Sequence, residues 1–99
     1  MYIENNLGVK IEFKGEKIGS GTDYKKEFSD WNEVGVYHLN NGNYLSTWKH
    51  LESMRNTDDI IVYISISLHD LFLEMTANYD SGDVPKPIKD AFKLLNMVD

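Results

Sequence analysis

Three histidines and sixteen carboxylates are the side chains of this 99-residue chain best equipped for acid–base or metal chemistry. His38, His50 and His69 stand 12 and 19 residues apart. Zinc needs three or four converging donors, normally with a local pair two to four residues apart, and this spacing supplies none. Asp80-Ser81-Gly82-Asp83 offers oxygen ligands of the type calcium takes. The twelfth position counted from Asp80 is Ala91, however, where a calcium loop of the helix–loop–helix type needs a glutamate. The stretch therefore reads as helix-end and turn chemistry. Asp58-Asp59 is the one adjacent pair of acids able to share acid–base work, as paired carboxylates do in glycoside hydrolysis. At the entrance to an apolar run, such a pair more commonly solvates the end of a buried segment. No nucleophile elbow, phosphate-cradling loop or dinucleotide fingerprint is present. The sequence thus points to no catalytic residue, metal site or cofactor.

The acids carry more information as a distribution. The formal net charge is −6. Residues 1–57 hold seven cations and eight acids, whereas residues 58–99 hold three cations and eight acids. No Lys or Arg occurs from Asn56 to Pro85, while Asp58, Asp59, Asp70, Glu74, Asp80 and Asp83 all fall there. Six anions without a local counter-ion repel one another and oppose compaction. A solvated face that aids solubility is the bland explanation. A docking face for a basic partner is the sharper one, because complementary fields speed association and reject wrong partners. Tyr79 beside Asp80, and Trp31 between Asp30 and Glu33, are aromatic candidates for its anchors, although Tyr79 also closes an apolar helical stripe.

The elements that position these groups follow from periodicity. Val9, Ile11 and Phe13 alternate with polar residues, as in a half-buried strand. Gly15-Glu16-Lys17 reads as a turn, Gly19-Ser20-Gly21-Thr22 as the start of a flexible loop, and Tyr24–Phe28 as a helical turn or an irregular bridge. Val34–Leu39 and Tyr44–Ser46 flank Asn40-Asn41-Gly42-Asn43, which predicts a hairpin with a type I′ turn. Trp48, Leu51 and Arg55 share a face in a short helix capped by Ser46 or Thr47. Ile60–Ser67, apolar on both faces at its start, is expected near the middle of a sheet. Leu68, Leu71, Phe72, Met75 and Tyr79 then form a helical stripe, with Ser67 in N-cap position. Beyond Pro85 and Pro87, Ile88, Ala91, Phe92 and Leu95 line a last helix. This order defines an α+β class: one small domain over residues 1–99, with an antiparallel sheet covered on one face by two C-terminal helices.

Composition narrows the function classes. Twenty-seven Leu, Ile, Val and Phe residues supply a small core. The acidic balance argues against direct nucleic-acid or membrane-surface binding, which rests on Lys and Arg. Without cysteine, disulfide and thiolate chemistry are out. The amino-terminal residues lack the basic and apolar regions of a secretory signal, and Ile60–Ile66 is too short to span a bilayer, so a cytoplasmic protein is expected.

A short, cysteine-free, acidic α+β chain with a cation-free tract from Asn56 to Pro85 resembles bacterial immunity proteins made against secreted nuclease toxins, including those of contact-dependent growth inhibition. The resemblance implies a non-catalytic inhibitor that covers the substrate-binding surface of a basic toxin domain; it assigns no residue a role. The candidate partner-binding residues, from the charge layout, are Asp58, Asp59, Asp70, Glu74, Tyr79, Asp80 and Asp83. Three alternatives stand beside it. The first is a phage-type inhibitor of a host nucleic-acid-binding protein. The second is a small hydrolase or ligand-binding domain using Asp58, Asp59 and His69. The third is an assembly subunit that buries Phe92 with Leu94 or Leu95 at an interface.

Overall fold

The computed structural model describes residues 2–4, 10–53, 59–80 and 82–93. Six strands and two helices follow in the order β1 (Tyr2–Glu4), β2 (Lys10–Glu12), β3 (Gly15–Thr22), β4 (Asp30–Leu39), β5 (Tyr44–Glu52), β6 (Asp59–Ser65), α1 (Leu68–Thr76) and α2 (Lys86–Lys93). β3 to β6 form an antiparallel meander in sequence order, and β1 pairs with β2 in a separate two-stranded ribbon. The fold is α+β, as the order of elements predicts.

Alternation sorts the side chains onto two faces of the large sheet. Val34 and Val36 of β4 and the fully buried Ser46 of β5 point to the helices, where they meet Leu71 and Met75 of α1 and Ile88, Ala91 and Phe92 of α2. On the other face, Leu39 and Leu45 pack with Ile3 and Phe13 beside the β1–β2 ribbon, joined by Tyr37, Ile60 and Val62. The sheet is therefore covered on both sides, by the two helices over the centre of one face and by the ribbon over part of the other. Sequence periodicity identifies Phe13 as a core residue but gives no hint that Tyr2–Glu4 pairs with the strand before it.

Both helices lie where the apolar spacing places them. Ser67 caps α1, its Oγ accepting the Asp70 backbone N–H at 3.1 Å, which satisfies one of the orphan donors of the first turn. The stripe ends earlier than its spacing implies: α1 stops at Thr76, and Tyr79 stands exposed beyond it. Pro87 sits in the first turn of α2, where its missing N–H costs nothing. Phe92 is fully buried in the helix–sheet core, which removes it from the proposed assembly interface; Leu94 and Leu95 lie outside the described residues.

Four expectations are corrected. The segment carrying Trp48 and Leu51 is not a helix but the continuation of β5, paired with β4 as far as Asp30↔Glu52 and with β6 as far as His50↔Asp59. Partners flank it on both sides from Tyr44 to His50, and Ser46 and Thr47 are buried strand residues rather than caps. Gly15–Thr22 is not turn and loop but strand β3, with an irregularity between Lys17 and Gly19. Gly21 serves close packing, since a Cβ on it would sit on the Pro87 carbonyl oxygen. The hairpin stands, but its turn is different. Gly42 N–H bonds to Leu39 O at 3.0 Å and Leu39 N–H to Asn43 O at 2.8 Å, with Gly42 at φ 92°. This is the three-residue loop closed by a left-handed glycine, not a two-residue type I′ turn. Finally, β6 is not central. It is the edge of the sheet, paired to β5 alone among the described residues.

Candidate partner-binding surface

The β6 edge determines where the candidate residues stand. Asp59 opens the strand, opposite His50 of β5. Six residues on, Ser65 closes it, about 20 Å away at the rise of an extended chain. There the Ser65 hydroxyl donates to Glu74 Oε2 of α1. Asp70, one turn earlier on α1, is exposed. Tyr79, Asp80 and Asp83 are all exposed in the connection to α2, where Asp83 N–H bonds to Asp80 O at 2.8 Å. Asp58 lies outside the described residues. The structure thus gathers Asp70 and Glu74 near the end of β6 and places Asp59 at its beginning, so these acids flank the strand.

Around Asp59 the fold adds acids from the other half of the chain. The β4–β5–β6 register brings Asp30 and Glu52 to the same end of the sheet. His50 Nε2 stands 3.5 Å from Asp30 Oδ2 and 3.6 Å from Glu52 Oε1. Its Nδ1 meets Asn32 Oδ1 at 2.9 Å, and Asp23 holds the Asn32 side-chain amide and backbone N–H at 3.1 and 2.6 Å. No local sequence signal marks this cluster, because its members meet only through cross-strand register.

Between the acidic ends, β6 is apolar and wet. Ile61 is 53% and Ile64 54% exposed, and Ile66, just beyond the strand, is 78% exposed. Leu73 on α1 is also half exposed. Ile64 borders an apolar groove with Ile11, Phe13, Leu39 and Leu45 on the ribbon side of the sheet. Trp31, by contrast, is engaged: its indole N–H donates to Glu33 Oε1 at 3.2 Å and its ring meets Tyr24 edge-on at 4.9 Å.

The hydrolase constellation does not converge. Asp59 begins β6, whereas His69 lies in the first turn of α1, past the strand's far end. A polar cleft of about 420 Å³ does exist, near Lys17, Tyr37, Thr47, Lys49, Lys86 and Asp90, but neither Asp59 nor His69 lines it. Lys86 there is paired with Asp90 at 2.5 Å and donates to Thr22 O at 3.4 Å. Gly35 shapes the floor, since a Cβ on it would crowd the Tyr37 ring at 3.1 Å and Thr47 Oγ1 at 3.2 Å. Among the described residues, no group of three or more His, Asp or Glu side chains is arranged to hold a metal ion. None of the described helices is long and apolar enough to cross a membrane.

No protein-family model, curated protein or solved structure matches the chain.

Proposed function

We propose that the chain is a non-catalytic binding protein that docks a basic protein partner through the β6–α1 surface. One observation carries this: an apolar edge strand with exposed Ile61 and Ile64 is bracketed by carboxylates, with Asp30, Glu52 and Asp59 at one end and Asp70 and Glu74 at the other. Apolar contact supplies binding energy and the bracketing charge supplies orientation and rate. A face that served solubility alone would have no use for three exposed isoleucines within the acidic tract. The partner class that fits best is a basic toxin domain of the nuclease kind, which makes the chain an immunity protein of the cytoplasm.

The test is a complex formed with the protein encoded beside this gene in its native host. That neighbour is expected to be basic, and its affinity is expected to fall steeply with salt and to weaken when Asp70 and Glu74 are reversed to Lys. An affinity and salt slope untouched by the reversal would overturn the proposal.

A further inference from the structure

We propose that β6 takes up an extended segment of the partner as an added strand, and that this segment carries Lys or Arg near both ends with β-branched or other apolar residues between. The inference rests on the docking surface proposed above and specifies what occupies it.

The two edges of the large sheet are protected unequally. Unpaired sheet edges invite pairing with other chains, and proteins normally blunt them with lysine, proline, bulges or charge. At the β3 edge, Glu16, Lys17 and an irregularity before Gly19 interrupt the strand. Between Asp59 and Ser65, β6 has none of these devices, and its charges lie only at its ends. Its sequence, Asp-Ile-Ile-Val-Tyr-Ile-Ser, contains no lysine or proline, and its register with β5 runs unbroken from His50↔Asp59 to Tyr44↔Ser65. Among the described residues, no backbone hydrogen bond reaches β6 from any segment but β5. Half of its backbone N–H and C=O groups therefore point outward along about 20 Å of regular strand. This is the arrangement that strand addition uses, with main-chain bonds for affinity and alternate side chains for specificity.

Charge decides the occupant. A second copy of this chain would match the isoleucines well, since antiparallel pairing about Val62 sets Ile60 against Ile64. It would also bring two acidic brackets together on a body already at −6, and like charges across an interface are repelled. A segment with cations near its ends instead meets Asp59 at one end and Glu74 at the other. Its central apolar residues cover Ile61 on the helix side and reach the groove beside Ile64 on the ribbon side.

The probe is a capped peptide as long as β6, seven residues, with Lys at both ends and alternating Ile, Val and Thr between. Binding is followed on the full chain by amide NMR shifts and hydrogen exchange. Shifts and slowed exchange are expected at the outward-facing amides of β6. Methylating alternate peptide nitrogens, in either phase, is expected to weaken binding about tenfold in one phase only. Ile64→Lys, at a position already half exposed, should weaken it by a similar factor through the edge protection it installs. Equal binding by both methylated forms would overturn strand addition while leaving the acidic docking surface standing. Equal binding by a peptide with Glu at both ends, with no salt dependence, would overturn the charged docking surface itself. Failure of every peptide to bind, or dimerisation of the chain through β6, would overturn the proposal.

Discussion

Gly21 of β3 lies directly against the carbonyl of Pro87, the second residue of α2, with the Ala91 backbone nitrogen 3.0 Å from where a Cβ would stand. Helix and strand are so close here that only hydrogen fits between them. Gly21→Ala must push α2 off the sheet and is expected to cost about 1–3 kcal/mol, the usual range for overpacking. Gly82→Ala is the matching control, since its added methyl meets nothing. It should be neutral or stabilise by up to about 1 kcal/mol by restricting the unfolded chain. Urea denaturation of the two variants checks this pair, and equal effects would refute the close approach.

Ser46, fully buried in β5, donates its hydroxyl to Met75 Sδ of α1 at 2.8 Å. A thioether is a weak acceptor, yet it is the partner this hydroxyl has. Met75→Leu preserves volume but leaves the hydroxyl unsatisfied, at about 1–3 kcal/mol. In a Ser46→Ala background the same change should cost less than about 1.5 kcal/mol, the range for volume-conserving swaps. A double-mutant cycle measures the difference, and strict additivity would rule out the coupling.

Tyr37 gives the chain an alkaline limit. Burial beside Phe13, whose ring meets it edge-on at 5.1 Å, raises its phenol above the ordinary value of 10.0. The folded state therefore keeps this proton to higher pH than the unfolded chain. The associated stability is whole below pH 10 and is lost as pH climbs through the raised value. Wild type should thus lose stability above pH 10 more steeply than Tyr37→Phe, as thermal melts of the two across that window would show. Parallel curves would contradict it.

The acid layout predicts a response to salt even without a partner. Repulsion within the tract from residue 56 to residue 85 opposes folding, so moderate salt should raise the melting temperature. Asp70→Asn with Glu74→Gln should flatten that rise, although Glu74→Gln also weakens the charge-assisted bond from Ser65. Melts of both proteins from low to moderate salt are the check, and an identical slope would mean that these two acids do not feel the rest.

The parts of the fold legible in the sequence are those where one local signal dominates. The helical stripe through Leu71 and Met75, the Ser67 cap and the Asn-Gly reversal are of this kind. The rest depends on what lies across the sheet. Trp48, Leu51 and Arg55 happen to fall at helical spacing, but pairing with β4, and for Trp48 with β6 as well, holds Trp48 and Leu51 extended. β3 reads as a loop because glycine disfavours strands, yet the close seat of α2 requires glycine there. The apolar faces of β6 imply a central strand only if both are buried, and exposed Ile61 and Ile64 break that premise. The same limit applies to the surface. Asp70 and Glu74 are visible as neighbours one helical turn apart, whereas Asp30 and Glu52 join Asp59 around His50 through register alone.

The meander has a consequence for how the chain comes to be folded. Among the described residues, each strand from β3 to β6 pairs only with its neighbours in sequence, so hydrogen-bonded contacts close over short stretches of chain, the condition for rapid assembly. During synthesis the hairpin of β4 and β5 can form as soon as it emerges. Val34, Val36 and Ser46 then face water until Leu71, Met75, Ile88 and Phe92 arrive. The nascent sheet is thus ordered before it is dry, and α2, which leaves the ribosome after every strand it covers, is what closes the core.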